Sequence, residues 1–124
     1  MSLSEKVAVV TGGTRGIGRA IVEALAGAGA RVAFTYAHNA ALAEEIADGD
    51  RIVAFEADAT DSVRAREVVK EVRSSFERID ILVNNAGITR DKLLVRMSEA
   101  DWDAVIDTNL KGVYNFTKPA VIAM

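Results

Sequence analysis

The sequence has no cysteine, a single proline and a single histidine among its 124 residues. Without cysteine there are no disulfides and no thiolate metal ligands, and a reducing compartment suits such a chain. No apolar run approaches the length that spans a bilayer, and no signal-type segment precedes Ser4. An excess of basic charge is missing too. The net charge is −3, and no stripe of Lys and Arg interleaves with aromatics, so nucleic-acid binding has no electrostatic footprint. His38, the lone histidine, reads as a solvated side chain rather than an acid, a base or a ligand, and no metal site is expected. What is plentiful is apolar surface, since half the residues are hydrophobic, which argues against disorder. The expectation is a soluble, cytoplasmic chain forming one domain over residues 1–124. That is long enough for a sizeable core but short for a complete doubly wound enzyme.

The informative stretch is Lys6-Val-Ala-Val-Val-Thr-Gly-Gly-Thr-Arg-Gly-Ile-Gly18. Val7 to Val10 form an uncharged, largely β-branched run, as a strand buried on both faces requires. Thr11 to Arg15 break that run, and Ile17, Ile21 and Leu25 follow at helical spacing. Strand, glycine-rich turn and helix in this order build a phosphate cradle. Gly12 lets the chain turn sharply off the strand. Gly16 leaves room for a diphosphate to approach the backbone, and Gly18 lets the helix pack close to the strand. The free N–H groups at the helix start then face the anion. The order Gly-x-x-x-Gly-x-Gly lacks the Gly-Lys-Ser/Thr ending of a triphosphate-binding loop, which disfavours nucleoside triphosphate hydrolysis. An ordinary strand-to-helix turn is the plainer alternative.

Alternating strand and helix patterns continue along the chain. The first helix runs to about Ala28, with Gly27 and Gly29 as stop signals. Strands are expected over Arg31–Tyr36, Arg51–Ala57 and Ile79–Val83, and a short helix over Ala40–Ala47. Asp61 is placed to cap a helix whose apolar stripe is Val63, Val69, Val72 and Phe76. After a loop with Leu93, Leu94 and Met97, Ser98-Glu-Ala-Asp101 has the form of a capping box, and Trp102, Val105, Ile106 and Leu110 mark a buried stripe on the fourth helix. Pro119 should bend that helix near Lys118 or fray it. The fold class expected is α/β, half of a doubly wound Rossmann fold. Its parallel sheet has order 3-2-1-4, with helices on both faces and the ligand crevice between strands one and four.

Four motifs in sequence order, Gly12-x-x-x-Gly16-x-Gly18, Asp58, Asn84-Asn-Ala-Gly87 and Thr108-Asn109-Leu110, together resemble the short-chain dehydrogenase/reductase family. Gly87-Ile-Thr-Arg-Asp91, Leu93-Leu94 and Arg96-Met97 look like its 3-oxoacyl thioester reductases acting on acyl carrier protein, and Asp101 to Asn109 with Thr117-Lys-Pro119 look equally like its acetoacetyl-CoA reductases. The resemblance covers nearly the whole chain but about the first half of a family member. It implies that Gly12, Thr14, Arg15, Gly16, Ile17 and Gly18 hold the dinucleotide phosphates. By the same resemblance Asp58 and Ala59 contact adenine, and Asn85, Ala86 and Gly87 pass the nicotinamide ribose.

Arg15 can fork onto a ribose 2′-phosphate, and Thr35-Tyr-Ala-His38 offers no carboxylate to a free 2′-hydroxyl, which favours NADP(H) over NAD(H). A merely solvated Arg15 is the other reading. Asp58 can equally serve backbone groups at a strand end. For Asn84 to Gly87, bracing the sheet and touching ligand both stay open. Asn109 occupies the family's proton-relay position, where a bent helix frees a carbonyl for a water; a buried Asn serving the helix is the alternative.

The family's hydride transfer needs a Tyr, a Lys and a Ser that the resemblance places beyond Met124. Tyr114 and Lys118 match the Tyr-x-x-x-Lys spacing, but they follow Asn109 on the same helix and are not expected to catalyse. The chain therefore reads as the dinucleotide-binding half of an NADPH-dependent 3-oxoacyl thioester reductase, binding NADP(H) weakly and inactive alone. The alternative is a self-assembling structural or engineered fragment with little cofactor binding, a homo-oligomer joined through the edge of strand four or the apolar face of helix four.

Overall fold

The computed structural model describes residues 2–14, 16–87 and 93–124. Four parallel strands form its sheet, β1 Val7–Val10, β2 Arg31–Tyr36, β3 Ile52–Glu56 and β4 Ile81–Val83, in the spatial order β3-β2-β1-β4. The register pairs Val10 with Phe34 on one side of β1 and with Val83 on the other. Both the strand order and the parallel sense are those the sequence predicts. The order reverses between β1 and β4, so the loops leaving their carboxyl ends diverge and open a crevice there.

Helices cover both faces. One layer holds α1 Gly16–Gly27 and α2 Ala40–Ile46, whose Val22, Ala26, Ala43 and Ile46 pack on Val10, Val32 and Phe34. The opposite face holds α3 Ser62–Phe76, whose Ala65, Val68, Val69, Val72 and Phe76 pack on Val7, Val9, Ala33 and Phe55. Neighbouring β2 residues Val32, Ala33 and Phe34 alternate between the two clusters, as the two-residue period of a strand dictates. Asp61 caps α3 as expected, its carboxylate accepting from Arg64 N–H at 3.0 Å. Val63 does not belong to the stripe. It is more than half exposed, and Ala65 and Val68 take its place in the core.

The last third of the chain departs further from expectation. A short 3₁₀ turn, Leu94–Arg96, precedes α4 Glu99–Ile106. Ser98 and Asp101 form the predicted capping box, with Asp101 N–H donating to Ser98 Oγ at 3.0 Å and Ser98 N–H donating to the Asp101 carboxylate at 3.3 Å. A π-helical segment, Asp107–Lys111, then leads into α5 Gly112–Ala123. The expected stripe of Trp102, Val105, Ile106 and Leu110 is not buried, Val105 being half-buried and the others exposed. Trp102 is 57% and Leu110 66% exposed, and α4 contributes no buried residue. The core contact belongs to α5, through Gly112, Asn115, Phe116 and Ala120. A π segment turns less per residue than an α-helix, so the apolar phase of α4 does not carry into α5. Nor does Pro119 end the helix, which continues through it to Ala123.

Candidate functional site

Where β1 ends, a buried hydroxyl organises the crevice. Thr11 follows the last strand residue, and its Oγ1 accepts from both Asn85 N–H and Ala86 N–H at 3.0 Å. Asn85 answers with its side chain, donating from Nδ2 to the Gly12 carbonyl at 2.9 Å. Asn84 faces the other way and donates to Thr117 Oγ1 on α5 at 3.0 Å. On the opposite flank, Thr35 of β2 accepts from Gly12 N–H through Oγ1 at 3.2 Å and from Gly13 N–H through its carbonyl at 3.0 Å. The glycine turn is thus tied to β2 on one side and to the β4 loop on the other. Two of its donors, Gly12 N–H and Gly13 N–H, are used inward, which fixes that part of the turn before any ligand arrives.

Each glycine of the turn has its own constraint. Gly12 stands at φ +70°, and a Cβ there would come within 3.0 Å of Ala86 Cα. At Gly18 a Cβ would overlap the Gly12 carbonyl oxygen and lie 2.5 Å from Asn85 Nδ2, so α1 meets the end of β1 only because that carbon is bare. Gly16 is the opposite case, with φ +59° and nothing within 4 Å of where a Cβ would stand. The space beside it is open.

A cavity of about 420 Å³ opens at this switch in strand order. Its wall includes Gly12, Thr14, Asp58, Ala59, Asn85, Ala86 and Gly87, all singled out from the sequence, together with Thr35 to His38, Ala57 and Thr108. Gly16, Ile17 and Gly18 are not in that wall. Ile17 is 74% exposed at the start of α1, so it does not join Ile21 and Leu25 against the sheet. Arg15 lies outside the described residues, as do positions 88–92 of the motif that begins at Gly87. Thr35, Tyr36, Ala37 and His38 bring no carboxylate to their end of the cavity.

Asp58 serves its own turn. Its Oδ1 accepts from Thr60 N–H at 2.9 Å and from Thr60 Oγ1 at 2.8 Å, which is the strand-end role open to it in the sequence, while the residue still borders the cavity. Asn109 lies within the π segment, and its Oδ1 would be 3.1 Å from a Cβ on Gly87, which places it across the crevice mouth from the β4 loop. It is exposed, not the buried Asn of the alternative reading. Tyr114 and Lys118 project from α5 with the Lys118 ammonium 5.9 Å from the Tyr114 ring centroid, and neither borders the cavity.

Sequence reasoning missed the residues that hold the wall in place. Thr11 and Thr35 carry hydroxyls at strand ends, a polar residue closing an apolar run being the available signal. Asn115 gave none. It donates from Nδ2 to the Ala59 carbonyl at 2.9 Å, a contact bridging 56 positions. Among the described residues there is no cluster of His, Cys, Asp or Glu that could hold a metal ion, and no helix is long and apolar enough to cross a membrane. Much of the cavity wall is backbone and small side chains. Among the described residues the titratable side chains in that wall are Tyr36, His38 and Asp58.

The profile of the short chain dehydrogenase family matches residues 6–124. Over 124 aligned residues the sequence is 50% identical to the 3-oxoacyl-[acyl-carrier-protein] reductase FabG of Staphylococcus aureus, covering 96% of this chain and 50% of that protein. It is 44% identical over 126 residues to FabG of Escherichia coli, covering all of this chain and 51% of that one. The chain spans about half the length of the curated relatives it matches. Among solved structures, a short-chain dehydrogenase/reductase from Serratia marcescens superposes with a TM-score of 0.95 at 39% identity, over 100% of this chain and 53% of that one. A short chain dehydrogenase from Burkholderia cenocepacia in complex with NADP superposes with a TM-score of 0.92 at 41% identity, with the same coverage.

Proposed function

The chain belongs to the short-chain dehydrogenase family, and on that premise we propose that it is the dinucleotide-binding part of an NADPH-dependent reductase of 3-oxoacyl thioesters, without turnover of its own. The observation that carries this reading is the cavity at the switch between β1 and β4, bordered by a glycine turn whose Gly16 opens onto free space. That cradle suits a diphosphate, because a side chain at Gly16 would occupy the approach. The β2 end, free of carboxylate, suits a phosphorylated ribose, and Arg15 is the cation proposed to fork onto that phosphate. Gly12, Thr14, Gly16, Ile17 and Gly18 hold the diphosphate in this reading. Asp58 and Ala59 hold the adenine, and Asn85, Ala86 and Gly87 the ribose nearest the reacting ring. Once bound, NADPH would supply hydride to a ketone. Asn109 takes the proton-relay position, which its place in a π segment supports, because such segments leave backbone carbonyls free to hold water.

The substrate class rests on the relatives, two of which are named as 3-oxoacyl-[acyl-carrier-protein] reductases. A cytoplasmic setting goes with it, and the absence of cysteine suits that compartment. Calorimetric titration of the chain with NADP⁺ and NAD⁺ should give weak binding that favours NADP⁺. Mixing it with NADPH and acetoacetyl-CoA should leave cofactor absorbance unchanged. Equal affinity for the two dinucleotides would remove the phosphate argument, and turnover at the rate of a full reductase would remove the claim of inactivity.

Self-association is a second reading, favoured by the exposed apolar side chains of Trp102, Leu110, Tyr114, Val121 and Ile122 and by the position of β4 at the sheet edge. Light scattering at high micromolar concentration tests it, and a well-folded monomer there would end it.

A further inference from the structure

Asn115 is 4% exposed at the fourth position of α5, in a helical run that continues from the π segment before it, where an Asn is a poor helix former. Its orientation follows from hydrogen-bond chemistry. The Ala59 carbonyl can only accept, so the amide NH₂ must face it and Oδ1 must face away. Oδ1 is then buried with no hydrogen-bond partner among the described residues. Leaving such an acceptor unmatched is costly, and helix stability gives no reason to tolerate it. The reason lies across the interface, at Ala59.

Gly112 lies one helical turn before Asn115 on the same face. A Cβ on Gly112 would stand 3.0 Å from Ala59 Cβ and 3.4 Å from the Ala59 carbonyl oxygen. One residue of α5 therefore grips the Ala59 backbone while the other makes room for it. The turn they hold, Asp58–Thr60, is shaped locally by the Asp58 carboxylate on Thr60, but those bonds fix its form and not its place. β3 has already ended at Glu56, and the last strand-like tie is Ala57 N–H to the Tyr36 carbonyl at 2.9 Å. Beyond it the wall of the cavity at Asp58 and Ala59 is tied to the start of α3, through Asp61 N–H on the Asp58 carbonyl at 3.0 Å, and reaches across to α5 through Asn115 on the Ala59 carbonyl. We infer that Asn115, with Gly112, is a positioning residue for the Asp58–Ala59 wall of the cavity, acting on the purine half of a bound nucleotide through the Ala59 carbonyl. The inference rests on the dinucleotide reading for its ligand, though not for the positioning itself.

Asn115→Leu keeps the branching and heavy-atom count of the side chain and removes the donor, at the cost of some added volume. Without ligand, amide hydrogen exchange at Ala59 and Thr60 should quicken in this variant while exchange in the β1 and β2 strands stays as in the wild type. ADP affinity, by titration calorimetry, should fall roughly tenfold, the size expected when a buried carbonyl loses its partner, whereas inorganic pyrophosphate, which lacks the purine, should bind as before. Gly112→Ala leaves Asn115 intact and should displace the same turn from the helix side, with the same pattern at smaller amplitude. It also carries the test if circular dichroism shows Asn115→Leu unfolded. Unchanged exchange at the turn in the folded variants would overturn the positioning role, and equal loss of ADP and pyrophosphate would overturn its confinement to the purine side. A wild-type chain that holds neither ligand would refute the dinucleotide reading, and the exchange result alone would then decide the positioning.

Discussion

Gly16 and Gly18 stand two positions apart, yet a methyl group on each should fail differently. At Gly18 the added carbon collides with the Gly12 carbonyl, and the backbone of α1 must move to relieve it. Gly18→Ala should therefore cost about 1–3 kcal/mol or more of stability, read as a lowered midpoint in urea unfolding. Gly16→Ala meets no neighbour, so its cost is the positive φ alone, about 1–2 kcal/mol. Its proposed effect is on ligand, with NADP⁺ affinity falling at least tenfold by calorimetry while the fold survives. Retained affinity would remove Gly16 from the site. Asp80 makes a pH prediction. Arg78 donates to both its carboxylate oxygens, at 2.8 and 2.7 Å, and Val7 N–H donates to it at 2.9 Å. The Arg78 hydrogen bonds, opposed by burial and aided by Val7 N–H, hold the Asp80 carboxyl below the usual carboxylate range. A lowered folded value favours the ionised native state, so this contribution is present at neutral pH and is lost as the pH falls through and below about 4. The stability difference between the wild type and Asp80→Asn, followed by urea unfolding, should shrink over that window.

Among the elements, α4 and α5 carry the contrast between what a pattern suggests and what packing selects. Phe116 is fully buried in the cluster under β1 and α3, whereas Trp102, the largest side chain of the expected stripe, is mostly exposed. Phe116→Ala should cost about 3–5 kcal/mol, and Trp102→Ala should stay within about 0.5 kcal/mol in the monomer, both by denaturant unfolding. A large loss at Trp102 and a small one at Phe116 would mean that the helix is rotated from the orientation described. The cap of α3 offers a smaller test, since Asp61→Ala removes one acceptor from the helix start and should cost about 1 kcal/mol. The apolar period found α1, α3 and the four strands because each packs on one continuous surface. It misplaced the α4 stripe, where Trp102 and Ile106 face solvent, and it could not follow the core contact into α5, because a sequence period assumes one unbroken pitch and Asp107–Lys111 is π-helical.

At the scale of the molecule, the exposed apolar side chains of α4 and α5 lie on a chain that carries little net charge to oppose association. If copies pair through that surface, Trp102→Lys with Leu110→Lys should shift light-scattering mass toward the monomer and leave the far-ultraviolet circular dichroism of the wild type intact. No shift would locate any self-association elsewhere, with the β4 edge as the remaining candidate.

Local chemistry in the sequence determined the order of elements, the parallel sheet and the glycine turn. Runs of β-branched residues, glycines at the bend and apolar residues at helical spacing are short-range signals that each act over a few positions. Only tertiary structure decided which side chains hold the cavity together. Thr11 meets Asn85 and Ala86, Thr35 meets Gly12, and Asn115 meets Ala59, pairs separated by tens of positions whose hydrogen bonds leave no periodic trace. A polar group that satisfies a distant backbone atom looks, in sequence, the same as one that faces water. Burial tells the two apart, and burial exists only once the chain has folded.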